Sequence, residues 1–264
     1  MNLGKPPVVE VSVAFWFEAS ASAADWGHER AVKFLDQFQA EYPESEVQAE
    51  QRVQVQKLPR SGSTLKTTHV PIAFRAYPPD RSRYLLTAKD YLQCIFLRTP
   101  ENDYQGFQSL KAEALGKFDE YVRFHRPTKV TGFALSYVDL VRIPTVNKRA
   151  ALNDFFTICE DPDEETFGVA GFIRKSFKTV PPGSQDILTF EIYNLTKAGG
   201  PDESAIPFRL EWTLQGFKGL TVDPAAIGER LEAAHRFLLT CFKRSFTPRG
   251  WALFDPQDDA QVAQ

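Results

Sequence analysis

The stretch Val9-Glu-Val-Ser-Val-Ala-Phe-Trp-Phe17 places an apolar side chain at every second position. A period of two is typical of a β-strand with one face in a core, because successive side chains point to opposite faces. The predicted inward row is Val9, Val11, Val13, Phe15 and Phe17. The segment Phe208–Gln215 alternates in the same way, and its outward row includes Arg209 and Glu211. Both segments therefore predict strands of a sheet whose other face meets water.

Four helices are predicted from apolar residues at spacings of three and four. The two long ones cover Tyr104–His125, capped by Asn102 or Asp103 and stopped by Pro127, and Asp223–Phe242. Asp223 followed by Pro224 is the cap and the first helical position of the latter. The others are a helix of about four to five turns that carries Ala31, Phe34, Leu35, Phe38 and Tyr42, with Ser22 or Asp25 as its cap, and a short helix over Ala151–Cys159.

The remaining strands are predicted from alternation and from short breaks that require hairpins. Val47–Gln56 is expected to turn Val47, Ala49, Val53 and Val55 inward, and a loop with Pro59, Gly62 and Ser63 follows it. The further strands are Val70–Tyr77, Arg83–Ala88, Tyr91–Arg98, Lys129–Arg142, Gly168–Lys178, Ile187–Leu195 and Phe208–Phe217. Breaks such as Lys89-Asp90 are too short for a crossover, so the pairing is expected to be antiparallel.

The order of these elements predicts an α+β protein with a curved antiparallel sheet and long amphipathic helices on one face. Residues 1–127 form a first β-α-β4-α unit, residues 128–254 a second β-α-β3-α unit, and residues 255–264 a polar tail. The two units are expected to build one continuous domain. This order resembles the TATA-binding-protein-like and helix-grip architectures, a similarity of fold that does not transfer function.

Composition indicates an ordinary globular protein with a core of aromatic rings, since the chain has 22 Phe and one Met. A formal charge of −3 provides no global attraction to nucleic acid. We find no secretory signal and no apolar segment long enough for a bilayer, so a cytoplasmic location is expected. The three cysteines, Cys94, Cys159 and Cys241, lie among apolar neighbours and are interpreted as buried small hydrophobes.

Both ends of the chain resemble a sporadically distributed family of prokaryotic proteins that are mostly described as hypothetical. The resemblance is carried by Pro6-Pro-Val-Val-Glu-Val11, which leads into the first strand, and by Ala234-His235, Phe242 and Phe246-Thr247 at the end. This resemblance implies no catalytic residue at any position of this sequence. The patchy distribution of that family implies accessory genes, such as defence or toxin-antitoxin cargo.

No phosphate-binding glycine loop and no nucleophile elbow is present, so we expect no enzymatic activity and no cofactor. His28, His69, His125 and His235 share no ligand spacing, and no metal is expected. His125 is interpreted as a donor or cation at a helix end. The acidic run Glu160-Asp-Pro-Asp-Glu-Glu165 lacks the glycine of a calcium loop and is interpreted as a solvated loop. A reaction centre assembled only by the fold stays open.

Two candidate sites follow from the pattern. The outward face of the second-half sheet is expected to carry a mixed-charge surface that suits a protein partner, formed by Arg174, Lys178, Glu191, Arg209 and Glu211. Alternatively, an apolar small-molecule pocket between sheet and last helix would be lined by Phe190, Trp212 and His235. His235 lies on the apolar stripe of that helix, where it is either a pocket base or a hydrogen-bonded core histidine. Nucleic-acid binding on the sheet is the third hypothesis.

Overall fold

The computed structural model describes residues 2–3, 7–18, 28–58, 62–99, 103, 105–144, 152–158, 174–195, 205–254 and 256–257. The strands are β1 (Asn2–Leu3), β2 (Val8–Glu18), β3 (Glu44–Leu58), β4 (Gly62–Tyr77), β5 (Arg83–Ala88), β6 (Tyr91–Leu97), β7 (Lys129–Pro144), β8 (Arg174–Thr179), β9 (Ile187–Asn194), β10 (Ala205–Gly216) and β11 (Pro256–Gln257). The helices are α1 (His28–Leu35), α2 (Phe107–His125), α3 (Leu152–Phe155), α4 (Pro224–Arg244) and α5 (Pro248–Trp251), with 3-10 turns at Asp36–Phe38 and Ala252–Phe254.

Nine of these strands form one antiparallel sheet in the order β3-β4-β5-β6-β2-β7-β10-β9-β8. The central pair is β2 and β7. Outward from β2 lie β6, β5, β4 and β3, and outward from β7 lie β10, β9 and β8. The α+β class with a large antiparallel sheet is thereby confirmed. β1 and β11 pair separately.

The described helices pack on one face of the sheet, which we call the helix face. Phe118 of α2 lies with its ring centroid 4.8 Å from that of Phe15 on β2. Near the other end of the helix layer, Phe156 lies 6.1 Å from Phe208 on β10. The alternate side chains of the same strands point to the opposite side, which we call the outer face. The fold therefore presents a buried aromatic face and an outer face along the same strands.

The predicted inward rows are confirmed where the strands run through the core. Val13 and Phe15 have no exposed surface, and Leu210 is fully buried in β10. β10 alternates strictly between buried and half-buried positions. Core apolar area of this kind stabilises a fold by about 25 cal/mol per Å² removed from water.

The first helix is shorter than the spacing of its apolar residues predicts. α1 ends at Leu35, and a 3-10 turn over Asp36–Phe38 follows, in which the Gln39 amide donates to the Asp36 carbonyl at 3.3 Å. Phe38 and Tyr42 nevertheless remain buried, as their spacing indicates. The proposed caps Ser22 and Asp25 lie outside the described residues.

For the two long helices, the predicted cap of α4 is correct and Asp103 as the cap of α2 is wrong. The Asp223 side chain accepts a hydrogen bond from the Ala225 amide at 3.0 Å, with Pro224 at the first helical position, as predicted. Asp103 does not cap α2: it pairs with Arg98 at 2.8 Å, and Gly106 holds the N-cap position. Asn102 and Tyr104 lie outside the described residues.

The third helix also ends earlier than predicted. α3 stops at Phe155 because Phe156 forms a β-bridge with Phe246 and the Thr157 amide donates to the Ser245 carbonyl at 2.9 Å. A residue paired with a distant segment cannot continue the helical hydrogen-bond ladder. Cys159 and the acidic run 160–165 lie outside the described residues, as do residues 168–173, and β8 begins at Arg174.

Three further expectations need correction. Gly62 and Ser63 are the first residues of β4 rather than loop residues, because the ladder with β3 continues to the Leu58–Gly62 pair. Val47 lies on the inward face opposite the buried Phe74, as predicted, but it is 44% exposed rather than buried, since β3 is an edge strand with a neighbour on one side only. Cys94 is fully buried as predicted, but Cys241 is half-buried. The structure does not describe the side chains of Ala49, Val53 and Val55.

Candidate functional site

The outer face carries a connected group of charged side chains at one end of the second-half strands. We call it the outer-face network, and its members are Glu10 on β2, Arg209 and Glu211 on β10, Glu191 and Tyr193 on β9, and Arg174 on β8. Strand register brings them together, because directly paired residues share a face. Tyr193 lies opposite Arg174 and Arg209, and Glu191 lies opposite Glu211.

Hydrogen bonds and ion pairs join these side chains. The Arg174 guanidinium donates to Glu191 at 2.7 Å, and the Arg209 guanidinium donates to Glu211 at 2.7 Å. Tyr193 donates its hydroxyl hydrogen to the same Glu211 carboxylate at 2.9 Å. Glu10 lies 3.9 Å from the Arg209 guanidinium across the sheet. These charges are thus paired with one another within the folded chain.

The pKa shifts in the network reflect both burial and pairing. Burial raises the pKa of Glu10, although the Arg209 charge opposes that shift. Burial alone would lower the pKa of Arg209, but the hydrogen bond and charge of Glu211 outweigh it, so this pKa is raised. Burial and the Glu211 hydrogen bond raise the pKa of the Tyr193 hydroxyl. At neutral pH the network therefore consists of ion pairs beside a neutral phenol.

Four of the five residues predicted for a partner surface belong to this network. The fifth, Lys178, is exposed on the same face opposite Thr189, two residues along β8 from the row of Glu191. Sequence reasoning missed Glu10 and Tyr193. Glu10 gave a signal, because it is the only charged residue of the segment Val9–Phe17.

The three residues predicted for a pocket lie in one row of rings on the helix face. Phe190 and Trp212 are 1% and 2% exposed, with ring centroids 4.1 Å apart. Trp212 is paired in register with Tyr137, whose hydroxyl is 2.8 Å from Nδ1 of His235. Phe190 therefore contacts Trp212, and Tyr137 lies between Trp212 and His235. The rings of Phe190 and Trp212 pack directly against each other. A pocket lined by them and by His235 stays a prediction.

His235 is held from two sides. Its ring stacks on Phe107 of α2 with centroids 4.0 Å apart and planes 7° from parallel. Burial lowers its pKa, an effect that the nearby Glu232 carboxylate opposes and Arg236 adds to. A neutral imidazole bonded to a tyrosine hydroxyl fits the core-histidine interpretation, in which a buried polar group is satisfied by a neighbour.

His125 is not a cationic helix cap. It is 3% exposed and lies among aromatic rings, with its centroid 4.3 Å from Tyr121 and 4.8 Å from Phe124. Burial, reinforced by the Arg30 charge, lowers its pKa to about 4. The ring is therefore neutral at physiological pH and packs as an aromatic side chain.

A cleft that sequence reasoning did not predict opens between the first turns of α2 and the ends of β2, β5 and β6. Its volume is about 210 Å³. Six charged residues are among those that line it, together with the apolar residues Val11, Phe96 and Leu110. The charged residues are Glu10, Asp80, Arg83, Arg98, Asp103 and Glu113. Glu10 borders this cleft, but its side chain belongs to the outer-face network, because it lies 3.9 Å from Arg209.

Glu113 on α2 accepts hydrogen bonds on both of its carboxylate oxygens. One of its carboxylate oxygens accepts a hydrogen bond from the Tyr42 hydroxyl, and the other accepts one from Arg83 at 3.1 Å. Burial is the main cause of a raised pKa at Tyr42, so this phenol stays protonated and donates. Next to it, the Lys117 ammonium binds Glu41 at 2.8 Å. The two residues of each of these pairs are more than 29 positions apart along the chain, so no local sequence pattern indicates that they are in contact.

Within the described residues, no group of three or more His, Cys, Asp or Glu side chains is arranged to hold a metal ion. No helix in that part of the chain is long and apolar enough to cross a bilayer. Comparison of the sequence with models of known protein families finds no match, and no curated protein matches it significantly. The resemblance of the two chain ends to the sporadic prokaryotic family stays a prediction.

Proposed function

We propose that this protein is a non-enzymatic binding protein that recognises a protein partner through the outer face of its sheet. The observation that carries the proposal is the outer-face network, in which Arg209 and Arg174 are each held against a glutamate at 2.7 Å. Charges fixed before association cost less to order in a complex than mobile ones do. Complementary charges across an interface also provide specificity and speed the encounter.

The balance of charges favours a protein over a nucleic acid. The network has three carboxylates, on Glu10, Glu191 and Glu211, against the two guanidinium groups of Arg174 and Arg209. A phosphate backbone would be repelled by these carboxylates, because affinity for nucleic acid comes mainly from neutralised phosphates. A protein surface that places acidic groups against the arginines and basic groups against the glutamates complements both signs.

The wider setting of this function is also part of the proposal. Resemblance of the chain ends to a prokaryotic family supports a cytoplasmic accessory protein in an operon-encoded complex, of the defence or toxin-antitoxin kind. We further propose that units 1–127 and 128–254 share one arrangement, similar to the TATA-binding-protein-like or helix-grip sheets. The support is that each unit places its later strands outward from its own member of the β2–β7 pair.

The test compares affinity capture from the native host with the wild-type chain, with Arg209→Glu and with a control. Arg209→Glu places like charges beside Glu10 and Glu211, so we expect a stoichiometric partner to be lost and its affinity to fall roughly tenfold or more. Arg123→Glu is the control, because Arg123 is 62% exposed on α2 and pairs only with its helical neighbours Asp119 and Glu120 among the described residues.

Binding should weaken with added salt, since half-exposed charge pairs are screened. The partner recovered with the control should match that recovered with wild type. Recovery of no stoichiometric partner by the wild-type chain, or equal recovery with Arg209→Glu, would contradict the proposal.

A further inference from the structure

The described sheet ends in two edge strands, each with a neighbour on one side only. β8 forms one edge beside β9, and β3 forms the other beside β4. An edge strand presents backbone N–H and C=O groups that can pair with a strand of another chain. Both edges are accessible, because every residue of β8 and residues 44–47 of β3 are exposed.

The two edges carry charges of opposite sign. β8 contains Arg174, Lys175 and Lys178 and no acidic residue. Residues 44–48, where β3 begins, contain Glu44 and Glu46 and no basic residue. One edge of the sheet is therefore basic along its length, and the other is acidic where it begins.

Part of this charge is already paired within the chain. Arg174 pairs with Glu191 at 2.7 Å, and Glu46 pairs with Arg75 at 3.0 Å. The other charges of the two edges are the two lysines of β8 and Glu44 of β3, and these have no ion-pair partner in the described part of the chain. They are available to a strand from another molecule.

Charge decides which edges of two copies can meet. Pairing β8 with β8, or β3 with β3, would place like charges in adjacent strands, which is destabilising. Pairing β8 of one copy with β3 of the next places basic residues beside acidic ones. Charges of one sign on both edges would protect the sheet against every pairing, whereas opposite signs protect it only against like with like.

Strand direction and strand faces are compatible with this pairing. Every neighbouring pair in the sheet is antiparallel, so the first and the ninth strand run in the same direction. β3 of the next copy therefore continues the sheet as a parallel strand, with both helix faces on the same side. In that orientation Glu44 and Glu46 lie on the outer face, as do Arg174 and Lys178.

An exposed apolar side chain lies on the helix face of each edge. Phe177 on β8 is 41% exposed, and Val47 on β3 is 44% exposed. Beside Val47 a groove of about 230 Å³ opens between α1 and β3, and Val32, Leu35 and Phe74 are also among its lining residues. Drug-sized ligands occupy pockets of roughly 300–1,000 Å³, so this groove suits a single apolar side chain such as Phe177.

We propose that this protein assembles with further copies of itself, with β8 of one copy paired to β3 of the next and Phe177 packed against Val47 at the groove. Because the two edges differ, association does not stop at a dimer and continues to a ring or an open filament. The outer faces of successive copies then lie on the same side. The inference goes beyond the proposed partner surface and does not rest on it, since Lys175, Phe177 and Val47 are not members of the outer-face network.

The experiment measures the mass of the purified full chain by sedimentation velocity. One copy has a mass of 29.9 kDa. We expect the average mass to rise beyond that of a dimer between about 1 μM and about 1 mM protein, the range of moderate to weak association. Added salt should lower the mass, because exposed charge pairs are screened. A chain that stays monomeric over this range, or that stops at a dimer, would overturn the proposal.

Two double variants connect the association to the edges. Lys175→Glu with Lys178→Glu makes both edges acidic, and Glu44→Lys with Glu46→Lys makes both edges basic. Each variant alone should need at least roughly tenfold more protein than wild type to associate, because like charges then meet. An equimolar mixture should associate again, which mixing two misfolded chains would not achieve. Association of either variant alone at the wild-type concentration, or a mixture that stays monomeric, would reject the edge pairing.

Arg123→Glu with Lys129→Glu is the matched control. It makes the same change of net charge as the β8 variant, on side chains of α2 and β7 that are 62% and 61% exposed rather than on an edge strand. It should associate as wild type does. Because only the purified chain is present, this result is independent of the partner capture. A monomeric wild-type chain that instead binds an acidic peptide along β8 would assign this edge to another protein and overturn self-association.

Discussion

Asp139 lies on the helix face of β7, in the inward row of Leu135, Tyr137 and Val141, and is 2% exposed. Strand alternation predicts an apolar residue there, so the carboxyl occupies a position that its environment does not favour. Burial raises its pKa to about 7. Its usual value is 3.8, and the folded protein therefore holds this proton over a pH range in which the unfolded chain releases it.

We predict that Asp139→Asn increases stability at pH 8 by on the order of 2 kcal/mol and has little effect at pH 4. The folded-state pKa is raised, so the stability contributed by the neutral carboxyl is present below pH 4. It is lost as the pH rises through 7, whereas asparagine stays neutral throughout. Urea unfolding of both proteins from pH 4 to 8 measures the difference. A difference that does not grow with pH would show that the carboxyl is solvated.

At the scale of elements, α4 is the helix that local chemistry specifies best. Asp223 and Pro224 define its start, and Leu231, Ala234 and Leu238 define its buried stripe. α2 shows the opposite case, since its first turn begins at Gly106 and the nearby acidic residue is engaged by Arg98. Local capping signals are decisive only when tertiary contacts do not compete for the same side chain.

Asp223→Ala should destabilise the protein by about 1 kcal/mol, because the amide of Ala225 loses its acceptor and the dipole at the helix start loses a negative charge. Asp223→Ser, which keeps a capping oxygen, should recover most of that loss. Equilibrium urea unfolding at pH 7 measures both. Equal stability of the alanine and serine variants would mean that the cap does not contribute.

At the scale of the whole molecule, the sheet is continuous across the two predicted units. β2 and β7 pair over most of their lengths, and Val13 on β2 lies directly opposite Leu135 on β7. Both side chains are fully buried, so the same core supports strands from both units. We expect the described sheet to unfold as one cooperative structure.

Leu135→Ala should therefore cost about 2–5 kcal/mol and lower hydrogen-exchange protection equally in β6 and β9, which belong to different units. Leu195→Ala is the matched control, because Leu195 is 51% exposed and its loss should change little. Hydrogen exchange read by mass spectrometry gives both values. Protection lost in β9 but retained in β6 would indicate two units that unfold independently.

The sequence by itself determined the local structure: the alternation of β2 and β10, the hairpin between β5 and β6, and the cap of α4. It also indicated that Arg209 and Glu211 face outward, because a period of two assigns each residue to a face. It did not determine which strands are neighbours, so Glu10 was not connected with Arg209, and Arg83 was not connected with Glu113. Those contacts were decided by tertiary structure alone, because strand order depends on packing between distant segments, which local periodicity does not encode.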